Sequence, residues 1–313
     1  MKELLKKPNV VAVGRGHKFV HGVDTGKDAI VVCVTKKVPR ATLKKAQAIP
    51  LKYHGLETDV VETGEIRALS ERTGEYRPMP GGVGIGHYKI TAGTPGMVVK
   101  RDSIRHILSN NHVLANSNDA HIGDSIYQPG PYDGGTEADT IAYLADFVPI
   151  QFTGVSDCPI GNFVVNLWNK IAEFLNRQTR LQAITQVTNL VDCAIARPIK
   201  DEDILDEILD IGTPTGFAEV DIGTPIKKSG RTTGLTNGTV IVLDATATVN
   251  YGIGTAIFED QIITSNISAG GDSGSVVLNE SNEVVGLLFA GSDTITIVNK
   301  IGNVMSALEL DGM

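Results

Sequence analysis

Cysteine is scarce in this sequence, which has 313 residues and only three cysteines, Cys33, Cys158 and Cys193. The number is odd, and no two of them are spaced as a CxxC pair, so the sequence argues against both a disulfide framework and a cysteine zinc site. We expect free thiols, no metal ion and a reducing, cytoplasmic compartment.

Long apolar runs are also missing. No stretch reaches the ~18 apolar residues that a membrane helix needs, so we expect no membrane partner. The basic N-terminus carries only a short apolar run after Pro8, too short for the core of a secretory signal.

Negative charge is concentrated in one place. The net charge is −8, and the segment Asp201–Asp210 contains six acidic residues and no basic one. This balance argues against nucleic acid as a partner. Within the segment, Ile204, Leu205, Ile208 and Leu209 have helical spacing and predict an amphipathic helix with an acidic outer face.

Aromatic residues make up only 5% of the chain, whereas glycine is frequent, with 34 residues. Short β-branched runs separated by Gly- or Asn-rich breaks recur from about residue 83 to residue 300, which favours a mainly β fold, either a sandwich or a pair of barrels. A polar segment rich in Pro and Gly at 70–82 marks a boundary. We therefore predict a small N-terminal domain or leader at 1–75 and a larger domain at 76–313.

Two further segments of the larger domain depart from the β pattern. Apolar residues at helical spacing predict a helical insertion at about 158–182, which contains Trp168, the only tryptophan. Such helices are usually packing elements, and a role as a lid or partner site is the alternative. A final helix is predicted near Ile301–Leu308 by the same spacing.

The sharpest local signal for chemistry is Gly271-Asp272-Ser273-Gly274, directly before a predicted strand. A serine nucleophile needs an exposed hydroxyl on a tight turn, with backbone N–H groups free to face the substrate oxygen. Flanking glycines allow such a turn. The alternative is an ordinary polar turn, since Asp-Ser-Gly is common turn chemistry.

A nucleophilic serine also needs a histidine base and a carboxylate that orients the base. His112 follows an apolar strand and lies in the polar turn SNNH, whereas His106 lies within that strand. Two aspartates begin apolar strands, Asp192 in NLVDCAIA and Asp139 in ADTIA. We favour Asp192, which enters a strand near the middle of the chain, and retain Asp139 as the alternative.

His112, Asp192 and Ser273 occur in the chain order of the chymotrypsin-like serine peptidases. The stretches SNNHVLA, VDCAIA and GGDSGSVV with VVGLLFAG resemble the histidine turn, aspartate strand and serine turn of that family, over about residues 83–310. KSGRTTGLTNGTV at 228–240 resembles a segment of bacterial trypsin-like members, and the N-terminal extension resembles that of intracellular bacterial ones. The resemblance implies two six-stranded antiparallel β-barrels, accompanied here by a small α+β N-terminal domain and the helical insertion.

The resemblance also implies roles for single residues. Ser273 would be the nucleophile, His112 the general base and acid, and Asp192 the group that orients His112. Backbone N–H groups of Gly271 and Ser273 would form the oxyanion hole, and no cofactor or metal would be needed. The primary substrate pocket would include Ile267, Ser268, Ala290 and Gly291.

Two of the departures from the family pattern bear on the site. Position 267, where trypsin-like members carry an acidic residue, is Ile267, so we expect a neutral or apolar side chain in the pocket. The animal enzymes pair the aspartate before the serine with a freshly cut N-terminus. No such cleavage site is evident here, so we expect an internal donor to hold Asp272.

The sequence therefore predicts a serine endopeptidase that acts on protein or peptide substrates through an acyl-enzyme. Two alternatives stay open. The chain could be a catalytically silent double-barrel scaffold or binding protein, or an esterase that uses the same triad.

Overall fold

The computed structural model describes residues 1–20, 22–44, 47–64, 66, 72–90, 92–155, 159–175, 177–179, 181, 184–185 and 187–313. The chain divides into two compact units, residues 1–70 and 71–313. Each unit has buried hydrophobic clusters formed by its own residues.

The first unit is a small α+β structure, as predicted. It contains the short helix α1 (Lys2–Leu5) and four strands, β1 (Val10–Val20), β2 (Val23–Val34), β3 (Lys52–Tyr53) and β4 (Leu56–Glu62), in the sheet order β1-β2-β4-β3. Alternate side chains of β2, namely Ile30, Val32 and Val34, are buried, as expected of a strand with one face on a core.

The second unit contains a six-stranded antiparallel sheet. Its order is β6-β9-β10-β14-β8-β7, with β6 (Gly86–His87), β7 (Met97–Arg101), β8 (Ile104–Ser109), β9 (Ser125–Tyr127), β10 (Thr140–Phe147) and β14 (Ala194–Pro198). The short helix α2 (Asn111–Leu114) directly follows β8. The described pairings of this sheet do not join β6 to β7.

A second sheet of eight strands follows along the chain. It contains β13 (Thr188–Asn189), β16 (Gly216–Phe217), β17 (Pro225–Gly230), β18 (Gly234–Asn250), β19 (Thr255–Ser265), β20 (Val276–Asn279), β21 (Glu283–Gly291) and β22 (Ile295–Lys300). Because β22 pairs with both β19 and β21, the antiparallel pairings run through six strands and return to the first. The prediction of a mainly β fold is confirmed.

The prediction of a helix in the acidic segment is wrong. After a 3-10 turn at Asp201–Asp203, the chain forms the strand β15 (Ile204–Ile208), which pairs in parallel with β5 (Met79–Gly81). Ile204 and Ile208 are buried, whereas Leu205 between them is exposed. Backbone pairing with β5 and burial of two isoleucines therefore override the local helical spacing.

The helical insertion is present. A two-stranded ribbon of β11 (Gly154–Val155) and β12 (Ile184–Thr185) brackets the helix α3 (Pro159–Phe174). The predicted bounds at 158 and 182 lie outside the described residues. Apolar side chains on α3 are exposed, including Phe163, Leu167 and Trp168. The final helix, α4 (Ile301–Ala307), forms as predicted. None of the helices described here is long and apolar enough to cross a bilayer.

Candidate active site

His112 lies on a turn that is fixed from both sides. It belongs to α2, the single helical turn that follows β8. The Asn110 side-chain amide donates to the Asp192 carbonyl oxygen at 2.7 Å, and that of Asn111 donates to the Val148 carbonyl oxygen at 2.7 Å. The two asparagines in SNNH therefore tie the turn to neighbouring segments, and the His112 side chain stays partly exposed.

Asp192 binds His112 through both carboxylate oxygens. Its side chain is completely buried, with Oδ2 at 2.6 Å from His112 Nδ1 and Oδ1 at 3.3 Å from the His112 backbone nitrogen. Because an ionised carboxylate only accepts hydrogen bonds, Nδ1 carries the proton, and Nε2 of a neutral ring is left as an acceptor. This tautomer is the one that a general base needs.

Asp139, the alternative carboxylate, is engaged elsewhere. It ends a 3-10 turn at Glu137–Asp139, and its Oδ2 accepts the backbone N–H and the hydroxyl of Thr136, both at 2.8 Å. The carboxylate thus caps its own turn. Of the two candidates, the structure joins Asp192 to His112.

A chain of buried amides lies behind Asp192. The Asp192 N–H donates to Asn299 Oδ1 at 3.0 Å, and Asn299 Nδ2 donates to Gln261 Oε1 at 2.7 Å. Gln261 Nε2 in turn donates to the Leu190 carbonyl oxygen at 2.8 Å. No local pattern marks these residues in the sequence, because β19 and β22, which carry them, lie about 70 or more positions from the stretch that they support.

Tyr251 is a further residue that sequence reasoning misses. It lies in the turn between β18 and β19, and its hydroxyl donates to Asp192 Oδ2 at 2.8 Å. Burial and the neighbouring Asp192 carboxylate raise the pKa of Tyr251 far above its usual value, so the phenol stays a donor. Nothing in the sequence around Tyr251 signals this contact, because it depends on folding the β18–β19 hairpin towards a residue 59 positions away.

Ser273 lies on the turn between β19 and β20. Its hydroxyl is 3.5 Å from the Phe289 carbonyl oxygen, and no described hydrogen bond joins it to His112. Gly93 lies between the two turns, since a Cβ there would come within 2.4 Å of the Val113 side chain and 3.0 Å of the Ser273 carbonyl oxygen. Catalytic hydrogen bonds are often long without substrate and tighten in the reacting complex.

The serine turn requires its glycines. Gly271 and Gly274 have φ values of +97° and +95°, which disfavour other residues. A Cβ on Gly274 would also come within 2.1 Å of Ser109 Oγ. Among the described hydrogen bonds, the backbone N–H groups of Gly271 and Ser273 have no acceptor, as an oxyanion hole requires.

Asp272 is held by an internal cation. Lys228 Nζ is 3.3 Å from Asp272 Oδ2, and both side chains are completely buried. Asp272 also accepts the Thr233 hydroxyl at 2.6 Å and backbone N–H groups of Thr232, Thr233 and Ala269. Burial lowers the pKa of Lys228, and the Asp272 carboxylate opposes that shift. The KSGRTTG segment thus supplies both the cation and most of the donors.

A cavity of about 430 Å³ adjoins Ser273. Three of the four residues predicted for the primary pocket, Ser268, Ala290 and Gly291, line it. Ile267 is 3% exposed and packs in the neighbouring hydrophobic cluster, so its side chain is not part of the lining. Of the described residues that line this cavity, Asp293 alone is charged, and it is exposed.

A second cavity of about 610 Å³ adjoins His112. Its lining includes Tyr251 and the end of β21 at Phe289, Ala290 and Gly291. The last two residues also line the cavity at Ser273, so the two cavities share a wall. Among the described residues, no group of three or more His, Cys, Asp or Glu side chains could hold a metal ion.

Solved structures similar to the chain include bacterial serine proteases. The chymotrypsin of Cellulomonas bogoriensis is 17% identical with a TM-score of 0.47, and protease A of Thermobifida fusca is 17% identical with a TM-score of 0.48. The Nocardiopsis protease is 16% identical with a TM-score of 0.48. Each comparison covers 75% of this chain and 99% of the other. No family model and no curated protein sequence matches the chain.

Proposed function

We propose that the chain is a serine endopeptidase. The observation that carries the proposal is the hydrogen bond between buried Asp192 and His112 Nδ1, beside a serine turn with two unfilled backbone donors. A buried carboxylate bonded to an imidazole whose other nitrogen is left as an acceptor is the arrangement of a general base with its orienting group. A silent scaffold does not require a buried carboxylate that orients an imidazole.

The reaction would proceed as acyl transfer. His112 Nε2 takes the proton of Ser273 Oγ while that oxygen attacks the substrate carbonyl carbon, and the oxyanion forms at the Gly271 and Ser273 N–H groups. The protonated His112 then donates to the leaving amine as the C–N bond breaks. Water, deprotonated by His112, attacks the acyl carbon, and His112 returns that proton to Ser273 Oγ as the acyl–oxygen bond breaks. The mechanism requires Ser273 Oγ to come within about 3 Å of His112 Nε2 in the reacting complex.

The cavity beside Ser273 supports a preference for a neutral substrate side chain. The described lining carries no cation, which disfavours an acidic substrate side chain. Its one carboxylate, Asp293, is exposed to solvent, which weakens its attraction for a basic side chain. A protein or peptide substrate would extend along the shared wall into the cavity beside His112. Cleavage of a peptide library chiefly after Arg or Lys would contradict the neutral preference.

Covalent labelling by a fluorophosphonate tests the proposal directly. We expect the wild type to be labelled at Ser273 at neutral pH, because the reagent needs an activated serine and an oxyanion hole. Ser273→Ala and His112→Ala should abolish the labelling, and Ser306→Ala, on an exposed position of α4, is the matched control. Failure of the folded wild type to label would overturn the proposal.

A further inference from the structure

The Asp192 carboxylate accepts a hydrogen bond from Tyr251 as well as from His112. Tyr251 Oη and His112 Nδ1 both approach Oδ2, at 2.8 Å and 2.6 Å, while the His112 backbone N–H approaches Oδ1. The carboxylate is completely buried. Without the Tyr251 hydroxyl, His112 Nδ1 would be the one described donor to Oδ2.

The ring of Tyr251 is held by other aromatic rings. Its centroid is 5.6 Å from that of Phe152, at an interplanar angle of 83°, and 6.2 Å from that of Phe258. The His112 ring stands edge to face with it at 5.8 Å. A Cβ on Gly254 would come within 3.0 Å of the Phe152 ring, so a glycine there lets the hairpin turn pack closely against it. The phenol is therefore fixed in position before substrate arrives.

We infer that Tyr251 is a positioning residue of the proposed reaction, acting through its hydrogen bond to Asp192. The inference rests on the proposed serine peptidase function. The phenol fixes the carboxylate so that Oδ2 points at His112 Nδ1, and it takes up part of the negative charge of Oδ2. Together these effects set the orientation and the basicity of the imidazole.

The titratable groups that the described part of the chain places near this carboxylate come from three segments. His112 faces it from α2 and Tyr251 from the β18–β19 turn, and Cys193 follows it in the chain, with Asp146 of β10 beyond Cys193. Burial and the two carboxylates raise the pKa of Cys193 well above its usual value, so its thiol stays neutral. A change at the Tyr251 hydroxyl therefore acts on the Asp192–His112 pair.

Tyr251→Phe tests the inference, because it keeps the ring and removes the donor. We expect fluorophosphonate labelling of Ser273 to slow about tenfold, the equivalent of about 1.4 kcal/mol of barrier. We also expect the acid limb of the rate–pH profile to move to higher pH, since an Oδ2 with one donor fewer binds the protonated imidazole more strongly. Tyr143→Phe, on an exposed position of β10, is the matched control and should label at the wild-type rate and pH.

The labelling assay separates failure of the inference from failure of the proposed function. An unlabelled wild type overturns the proposed function, whereas a labelled wild type matched by Tyr251→Phe in both rate and acid limb overturns the role of Tyr251. Slower labelling with an unmoved acid limb also overturns it, since general loosening of the turn would give that result.

The inference can also be tested on an inactive protein, whether or not the wild type is labelled. In a Ser273→Ala background, the ring protons of His112 are followed by NMR as pH changes, with and without Tyr251→Phe. We expect His112 to stay protonated to a higher pH when Tyr251→Phe is present. Identical titration curves would overturn the inference whatever the labelling shows.

Discussion

At the scale of single residues, the site depends on which carboxylate meets the imidazole. Asp192 is buried and bonded to His112 Nδ1, whereas Asp139 caps its own 3-10 turn. Both aspartates begin apolar stretches of similar appearance, so their local sequence does not separate them. The difference arises because Asp192 leads into β14, and β14 pairs with β8, the strand that the histidine turn follows.

The two aspartates form a matched pair for substitution. We expect Asp192→Asn to lower the labelling rate of Ser273 by about 10⁴-fold, because an amide can hold the wrong imidazole tautomer. Asp139→Asn should stay within about threefold of the wild type, since its hydrogen bonds are local. Equal losses in the two variants, each confirmed as folded by circular dichroism, would contradict the orienting role of Asp192.

The residues that sequence could find are those with a local signature. A Gly-Asp-Ser-Gly turn, a histidine after an apolar strand and an aspartate before one are visible in short windows. Tyr251 and Asn299 are not, because each acts on Asp192 from a strand or turn 59 or more positions away. Lys228 is an intermediate case, because the sequence predicts that Asp272 has an internal partner but does not identify that partner.

At the scale of elements, the acidic segment shows how a local pattern misleads. Ile204, Leu205, Ile208 and Leu209 fit one face of a helix, yet Leu205 is exposed in β15 while Ile204 and Ile208 are buried. The deciding contact is the parallel pairing with β5, more than 120 positions earlier in the chain. Helices α3 and α4, in contrast, form where the same kind of spacing predicts them.

Alanine substitutions in β15 distinguish the strand from the predicted helix. We expect Ile208→Ala to lower the free energy of unfolding by about 2–5 kcal/mol, because it leaves a cavity in the core. Leu205→Ala, on the exposed side, should cost about 1 kcal/mol or less. Urea denaturation followed by circular dichroism gives both values, and equal losses would favour the helix.

At the scale of the whole molecule, the site draws on both sheets. His112 follows the six-stranded sheet, and Ser273 lies between two strands of the eight-stranded one. Asp192 lies two positions before β14, in the stretch that leads from one sheet to the other. Recurrent short strands in the sequence predicted this general architecture. Their pairing order was not readable from the residues themselves, because it is set by contacts across the whole unit.

Cys193 offers a probe of that whole unit. Its side chain is completely buried, and burial raises the pKa of the thiol well above its usual value. We therefore expect iodoacetamide to alkylate Cys193 only when residues 71–313 open, whereas the partly exposed Cys33 should react in the folded protein. Peptide mapping by mass spectrometry after timed exposure measures the extent of alkylation at each cysteine. Equal alkylation rates of Cys33 and Cys193 without denaturant would contradict the buried placement.

The pair formed by Lys228 and Asp272 bears on when such an enzyme could become competent. Its cation is a side chain of the same unit, residues 71–313, so the serine turn takes its shape when that unit folds and needs no new N-terminus as a partner for Asp272. Under the proposed function, control of activity would therefore act away from this turn, by limiting access of substrate to the cleft. An activating protease would have nothing to switch on at this turn.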